Sequence, residues 1–208
     1  MIDRLSKLVP TLFAAILAVV MLAASPLRAE GDAALAPDME LGNPEAKVTL
    51  IEYASFTCPH CAAFHAEVLP RLRADYIDQG LVRFVYREVY FDRYGLWAAM
   101  VARCGGPERF FGLADMIYAG QQDWARAGTP ADVAEGLRRI GRVAGLDDAT
   151  LDACLTDQAM AEALVAKFES QTTADEVQST PTLIINGVKH SNMPYDDLRA
   201  LIDTALAE

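Results

Sequence analysis

Cys58 and Cys61, two thiols separated by two residues in Thr57-Cys58-Pro59-His60-Cys61, are the side chains whose types and spacing can do chemistry. Such a pair can cycle between dithiol and disulfide, because a thiolate attacks a disulfide sulfur through a mixed-disulfide intermediate. The residues before it, Val48-Thr49-Leu50-Ile51-Glu52-Tyr53-Ala54, are β-branched and aromatic and predict a strand. Pro59, followed by Ala62, Phe64, Val68 and Leu69, predicts a helix that begins at the pair. Cys58 therefore falls at a helix N-terminus, where unpaired N–H groups and the positive end of the helix dipole favour a thiolate. His60 acts in the same direction, since its dipole or charge lies beside the sulfur in the first turn. A pKa depression of ~3 units favours the reduced form by roughly 4 kcal/mol, which makes the disulfide an oxidant.

A C-x-x-C pair has two other common uses. Zinc needs four ligands, usually with a second pair at short spacing. Cys104 and Cys154 are isolated in the sequence, and only His65 and His190 remain to complete a site. Haem attachment requires His directly after the second cysteine, where Ala62 stands.

The chain opens with Arg4 and Lys7, continues as an uncharged apolar run from Leu8 to Ala24, and closes on small residues up to Ala29. This is the order of a secretory signal peptide, with cleavage expected after Ala29. Leu27 is not the small residue usually preferred three positions back from the cut, and an uncleaved membrane anchor is the competing reading. Removing residues 1–29 takes away Arg4, Lys7, Arg28 and Asp3, leaving 15 basic against 28 acidic residues and a net charge of −13. Such a surface repels nucleic acid and anionic headgroups. Four cysteines, an even count, fit an oxidising compartment such as the periplasm.

The elements that must position the thiols follow in order. Residues 30–42 are polar, without period, and predict a flexible lead-in; Asn43-Pro44 marks a turn. After the cysteine-bearing helix, Gly80 ends the run and Val82–Val89 predicts a second strand, parallel to the first because the crossover is long. From Asp92 to Gln178 the pattern is helical throughout. Leu96 to Cys104 and Phe110 to Tyr118 carry apolar stripes, and Thr129-Pro130 and Asp147 are caps. Met160, Leu164 and Phe168 repeat at four-residue spacing, and Trp97, Phe110, Phe111 and Trp124 are read as core. Strand chemistry returns at Thr182–Ile185, followed by an Asn186-Gly187 hairpin signal, Val188-Lys189-His190 and an amphipathic helix from Pro194 to Leu206.

The order βαβ, helices, ββα, with Cys58-Pro59-His60-Cys61 after a strand and Thr180-Pro181 before the hairpin, resembles thioredoxin-fold disulfide oxidoreductases of the DsbA family over about residues 37–208. The resemblance implies an α/β thioredoxin-like fold, from residues 43–91 and 178–208, with an inserted helical subdomain at 92–177. It implies that Cys58 is the exposed nucleophile, Cys61 the buried resolving thiol, and Pro181 the cis-proline beside them. Thr180 would offer its backbone to an extended substrate, and Glu52, six residues before Cys58, would be the buried acid that exchanges protons with Cys61. An edge-exposed strand carboxylate is the plain alternative for Glu52. Thr180 departs from the Val of the best-known family members. Some relatives pair two cysteines as Cys104 and Cys154 could pair here, as a structural disulfide; two buried free thiols are the alternative.

The resemblance further implies oxidation of exported proteins, with no cofactor beyond the dithiol, a DsbB-like quinone-linked membrane partner and a monomeric state. A disulfide isomerase or reductase of the same fold, and an exported metal-binding or holdase protein, are the rival functions.

Overall fold

The computed structural model describes residues 35–208, so the signal peptide expected at 1–29 lies outside the described residues. Five strands form one sheet in the order β1-β3-β2-β4-β5. Strand β1 is Met39–Leu41, β2 is Val48–Ala54, β3 is Val82–Glu88, β4 is Thr182–Ile185 and β5 is Val188–Ser191. β2 and β3 are parallel, from Val48 opposite Val82 to Ala54 opposite Glu88, while the other neighbours are antiparallel. The parallel pair follows from the helical crossover between its strands, and the Asn186-Gly187 turn fixes the β4–β5 hairpin, both residues taking positive φ.

Strand β1 corrects one expectation. Met39–Leu41 falls inside the stretch read as a flexible lead-in, yet it pairs with Phe84–Tyr86 of β3. Three residues are too few to show a two-residue period. Met39 is buried, and Gly42, at φ 89°, lets the chain turn past the Val82 carbonyl where any Cβ would collide.

Pro59–Ala63 starts the helix α1, which continues through a π-helical turn at Phe64–Val68, an α-helical turn at Leu69–Leu72 and a second π-helical turn at Arg73–Ile77. The first wide turn has a chemical cause. Pro70 lacks an N–H and crowds the preceding turn, so the ladder widens there and the Leu69 N–H bonds back to Phe64 O.

Six helices form the insertion: α2 (Arg93–Arg103), α3 (Pro107–Ala119), α4 (Gln121–Trp124), α5 (Pro130–Val143), α6 (Asp148–Leu155) and α7 (Gln158–Ala174). The caps read from sequence are present: Thr129 and Asp132 form a reciprocal capping box on α5, and Asp147 accepts from Thr150 N on α6. A disulfide joins Cys104, just after α2, to Cys154 in α6. Phe110, Phe111 and Trp124 are buried as expected, whereas Trp97 is only partly buried and packs beside Tyr94. The terminal helix α8 (Tyr195–Ala207) covers the sheet with Leu198 and Ile202.

One continuous core runs through both parts, from Leu50, Phe84 and Tyr86 of the sheet to Phe110, Ile117 and Leu137 of the insertion. The redox motif sits at that junction. Among the described residues no helix is long and apolar enough to cross a membrane.

Candidate active site

Central strand β2 runs into a turn at Ser55–Thr57, and α1 begins immediately after it. The Cys58 N–H closes the turn on Ser55 O at 3.0 Å, and Thr57 Oγ1 donates to Asp92 Oδ2 at 3.1 Å, ahead of α2. Cys58 is the N-cap residue of α1 and Pro59 occupies the first helical turn, where its missing N–H costs nothing. Both active-site cysteines are free thiols, so the structure holds the dithiol form.

Their environments differ sharply. Cys58 is held down to about 5: the largest cause is the hydrogen bond from the Cys61 thiol, which outweighs burial, with help from the Thr180 side chain and the backbone N–H groups of Cys61 and His60. Cys61 is pushed far up, first by burial, then by its bond to Cys58 and the nearby Glu52 charge. One sulfur is built to be ionised and the other to keep its proton.

His60 contributes differently from the sequence reading. Its backbone N–H is among the groups favouring the thiolate, while its side chain is exposed and does not figure among them. Exposure also refines the reading of the nucleophile. Cys58, expected to be exposed, is itself buried at 8% exposure with its thiol against the Thr180 carbonyl, and Cys61 is buried fully, so only the order of the two is as expected. Thr180-Pro181 is a cis peptide bond, and the Cys58 thiol lies 3.4 Å from the Thr180 carbonyl.

Glu52 is fully buried on the central strand, which removes the edge-carboxylate alternative. Its Oε2 meets His65 Nε2 at 3.0 Å. Burial alone would lower His65, but the Glu52 charge and Asp115 outweigh it and hold the ring up at about 9. Tyr118 lies 4.3 Å from the imidazole, ring to ring, and Tyr86 5.6 Å edge-on. Cys104 and Cys154 are consumed by their disulfide and cannot serve as the second pair of a zinc site.

Two members of this site escaped the sequence reading. In the sequence His65 offers itself as a metal ligand, yet it lies four residues beyond Cys61 and so one helical turn along the same face, the signal that places it here. Gln121, at the start of α4, is buried and donates to the carbonyls of Phe56 at 2.8 Å and Cys58 at 2.9 Å. Nothing local marks Gln121.

A family model described as thioredoxin matches residues 35–204. The chain belongs to the thioredoxin family. Within that fold it is similar to DsbA proteins: alpha-DsbA1 of Wolbachia pipientis superposes with a TM-score of 0.75 at 26% identity, covering 82% of this chain and 92% of that one. A structure titled protein-disulfide isomerase from Novosphingobium aromaticivorans gives the same TM-score at 28% identity, covering 82% and 98%. A Rickettsia bellii protein named "Putative protein-disulfide oxidoreductase" is 35% identical over 172 residues. The match takes in 82% of this chain, which spans 65% of that relative's length. The expected thioredoxin-like fold with a helical insertion is therefore the one found.

Proposed function

We propose that the protein is a thiol:disulfide oxidoreductase that introduces disulfide bonds into exported proteins in the periplasm. The observation that carries the reading is the split between the two thiols, Cys58 held down at about 5 and Cys61 pushed up. A substrate thiolate attacks Cys58 Sγ of the oxidised pair; the Cys58–Cys61 bond breaks and its electrons leave on Cys61, which takes a proton. The second substrate thiolate then attacks the substrate sulfur of the mixed disulfide, and Cys58 departs as a stable thiolate. The substrate loses two electrons and the enzyme gains them.

The chain's own dithiol is the redox group and no further cofactor enters. Reoxidation returns the two electrons to a DsbB-like membrane oxidoreductase that reduces quinone. The Thr180 backbone and the surface beside Cys58 receive an extended, unfolded segment of the client. The apolar run at 8–24 and the small residues up to Ala29 support export, after which the acidic mature chain acts as a monomer.

The equilibrium constant with glutathione tests this reading. An oxidant equilibrates at a potential well above that of thioredoxin, whose value is about −270 mV; equilibration near or below that value overturns it. A second reading, disulfide isomerase, is favoured by Thr180 before Pro181 and by the isomerase title of the Novosphingobium structure. Recovery of scrambled ribonuclease by the reduced protein, with no ability to oxidise reduced ribonuclease, would select it.

A further inference from the structure

Four buried side-chain atoms among the described residues have no hydrogen-bond partner, and two of them are the outer ends of one pair: Glu52 Oε1 and His65 Nδ1. The inner ends of that pair, Glu52 Oε2 and His65 Nε2, bond each other at 3.0 Å. A buried polar atom without a partner is costly, so two at opposite ends of one bonded pair call for a reason. The Glu52 charge opposes ionisation of Cys61, one helical turn before His65 on α1, and His65 itself lines a cavity of about 780 Å³ together with Arg73, Asp115, Tyr118 and the alanines of α1. At that cavity Asp115 Oδ1 stands 3.7 Å from His65 Nδ1, too far for a hydrogen bond, and Asp115 is half-exposed.

We propose that His65 is the proton port of the buried thiol: protons reach and leave Cys61 through the Glu52–His65 pair and the Asp115-lined cavity, not past Cys58. The inference rests on thiol exchange at Cys58 and Cys61. Its balance is simple. When Cys61 must ionise to attack a mixed disulfide at Cys58, its proton goes to the Glu52 carboxylate while His65 Nδ1 releases one to Asp115 or solvent. When Cys61 is expelled as a thiolate, it takes the proton back from Glu52 and Nδ1 recovers one from outside. The proton between Oε2 and Nε2 stays where it is. The pair alternates between imidazolium–carboxylate and imidazole–carboxylic acid, both of zero net charge, so neither state leaves an uncompensated buried charge.

The groups facing the imidazole fit that role. Glu52 comes from β2, Tyr86 from β3, Asp115 and Tyr118 from α3 and Phe64 from α1 itself, while Arg73 of α1 lines the same cavity. Arg73 Nη1 lies 3.7 Å from Asp115 Oδ2. Tyr86 and Tyr118 bond each other at 2.7 Å, and burial holds both phenols well above their usual range, so they neither supply nor trap the moving proton. Against its burial, the Glu52 charge and Asp115 both favour the protonated imidazole. His65 does not touch the reacting sulfurs and is a positioning residue that acts through Glu52.

The test separates the two thiols in time. Reduced protein reacts with Ellman's reagent in two phases, attack by Cys58 and then resolution of the aryl mixed disulfide by Cys61. In His65→Gln the first phase keeps its rate and pH profile, while the second slows by about a hundredfold, the lower side of what a positioned proton carrier contributes. His65→Ala opens a hole onto the cavity, and imidazole in the buffer restores its second phase in proportion to concentration. Asp115→Asn, an isosteric change at a half-exposed site, slows the second phase at low buffer concentration and recovers with added buffer. An unchanged second phase in both His65→Gln and Asp115→Asn overturns the proposal, as does an imidazole-insensitive loss in His65→Ala. The first phase in the unmodified protein reads the oxidant function separately: a Cys58 that reacts only above about pH 8, as an ordinary thiol does, defeats that function whatever the second phase shows.

Discussion

The side-chain amide of Gln121 donates to the backbone carbonyl of Cys58 at 2.9 Å, and the same nitrogen reaches the Phe56 carbonyl at 2.8 Å. One buried residue of the helical insertion thus holds the turn that carries the reactive sulfur, and the insertion acts as part of the active-site scaffold. Gln121→Ala strips both carbonyls of this donor, although Cys58 O keeps the Ala62 N–H at 3.2 Å. Urea denaturation is expected to show a loss of about 1–3 kcal/mol in both redox states. Gln121→Met, which keeps the volume, should lose a similar amount; full stability in Gln121→Met would assign the effect to packing instead.

Ionisation of Cys58 ties stability to redox state and pH. Its pKa is lowered to about 5 in the folded dithiol, against about 8.5 for an unfolded thiol. A depressed folded value stabilises the dithiol form above pH 5, increasingly up to about 8.5, and the advantage is lost as pH falls through 5. Only the span between 5 and the working pH counts, so at pH 7 the stabilisation is about 3 kcal/mol, somewhat less than the roughly 4 kcal/mol reasoned from the motif. Denaturation of the dithiol and disulfide forms, measured in parallel from about pH 4 to about pH 8, should give a stability difference that is flat below 5 and then rises. A difference independent of pH would place the Cys58 titration elsewhere.

Thr180 acts on the same sulfur. Its side chain is one of the groups holding Cys58 down, behind the Cys61 thiol. Thr180→Val removes that polar contact while keeping the side chain's shape. Ultraviolet titration of the thiolate should shift upward, and the glutathione equilibrium should move toward the disulfide form. A titration at the original pH would show that Thr180 serves substrate binding alone.

Local patterns carried the parts of the fold that are local. Strand β2, the helix start at Pro59, the Thr129 and Asp147 caps and the Asn186-Gly187 turn each follow from residues within a few positions of one another. Strand β1 is too short to show a period and exists because β3 offers an edge for Met39–Leu41. Pro70 accompanies the first π-helical turn of α1, but a proline can widen, kink or end a helix, and only packing decides among these. Cys58, Cys61 and Glu52 were readable from spacing and resemblance. Gln121 was not, because its partners lie 63 and 65 residues away and the bonds exist only after the insertion folds back onto the sheet.

The Cys104–Cys154 link joins the end of α2 to α6 within the insertion and should behave as a structural bond. It closes a loop of sequence separation 50, for which loss of unfolded-state entropy contributes about 4 kcal/mol at most. Replacing both cysteines by Ala is expected to lower unfolding free energy by about 2–4 kcal/mol and leave the Cys58 titration in place. A displaced titration would mean that the link helps to hold the active-site turn.

Arg103 and Glu88 provide the sharpest test of how the insertion is anchored to the sheet. The guanidinium meets the carboxylate through two bonds, Nε to Oε1 at 2.7 Å and Nη2 to Oε2 at 2.8 Å, and Nη1 donates to Pro37 O at 3.0 Å. Both side chains are buried, so the pair joins α2 to the end of β3 and fastens the segment leading into β1. Arg103→Ala leaves Glu88 buried without its counter-charge and should cost about 3–5 kcal/mol, with the Glu88 carboxyl driven toward its neutral form. Because protonation relieves that penalty, the variant should lose less stability at acidic pH than at neutral pH. The double variant Arg103→Met, Glu88→Leu replaces both charges with apolar groups of similar volume, and should recover most of the loss. If the double variant is as unstable as Arg103→Ala, the hydrogen bond to Pro37 rather than the ion pair is what anchors this corner of the fold.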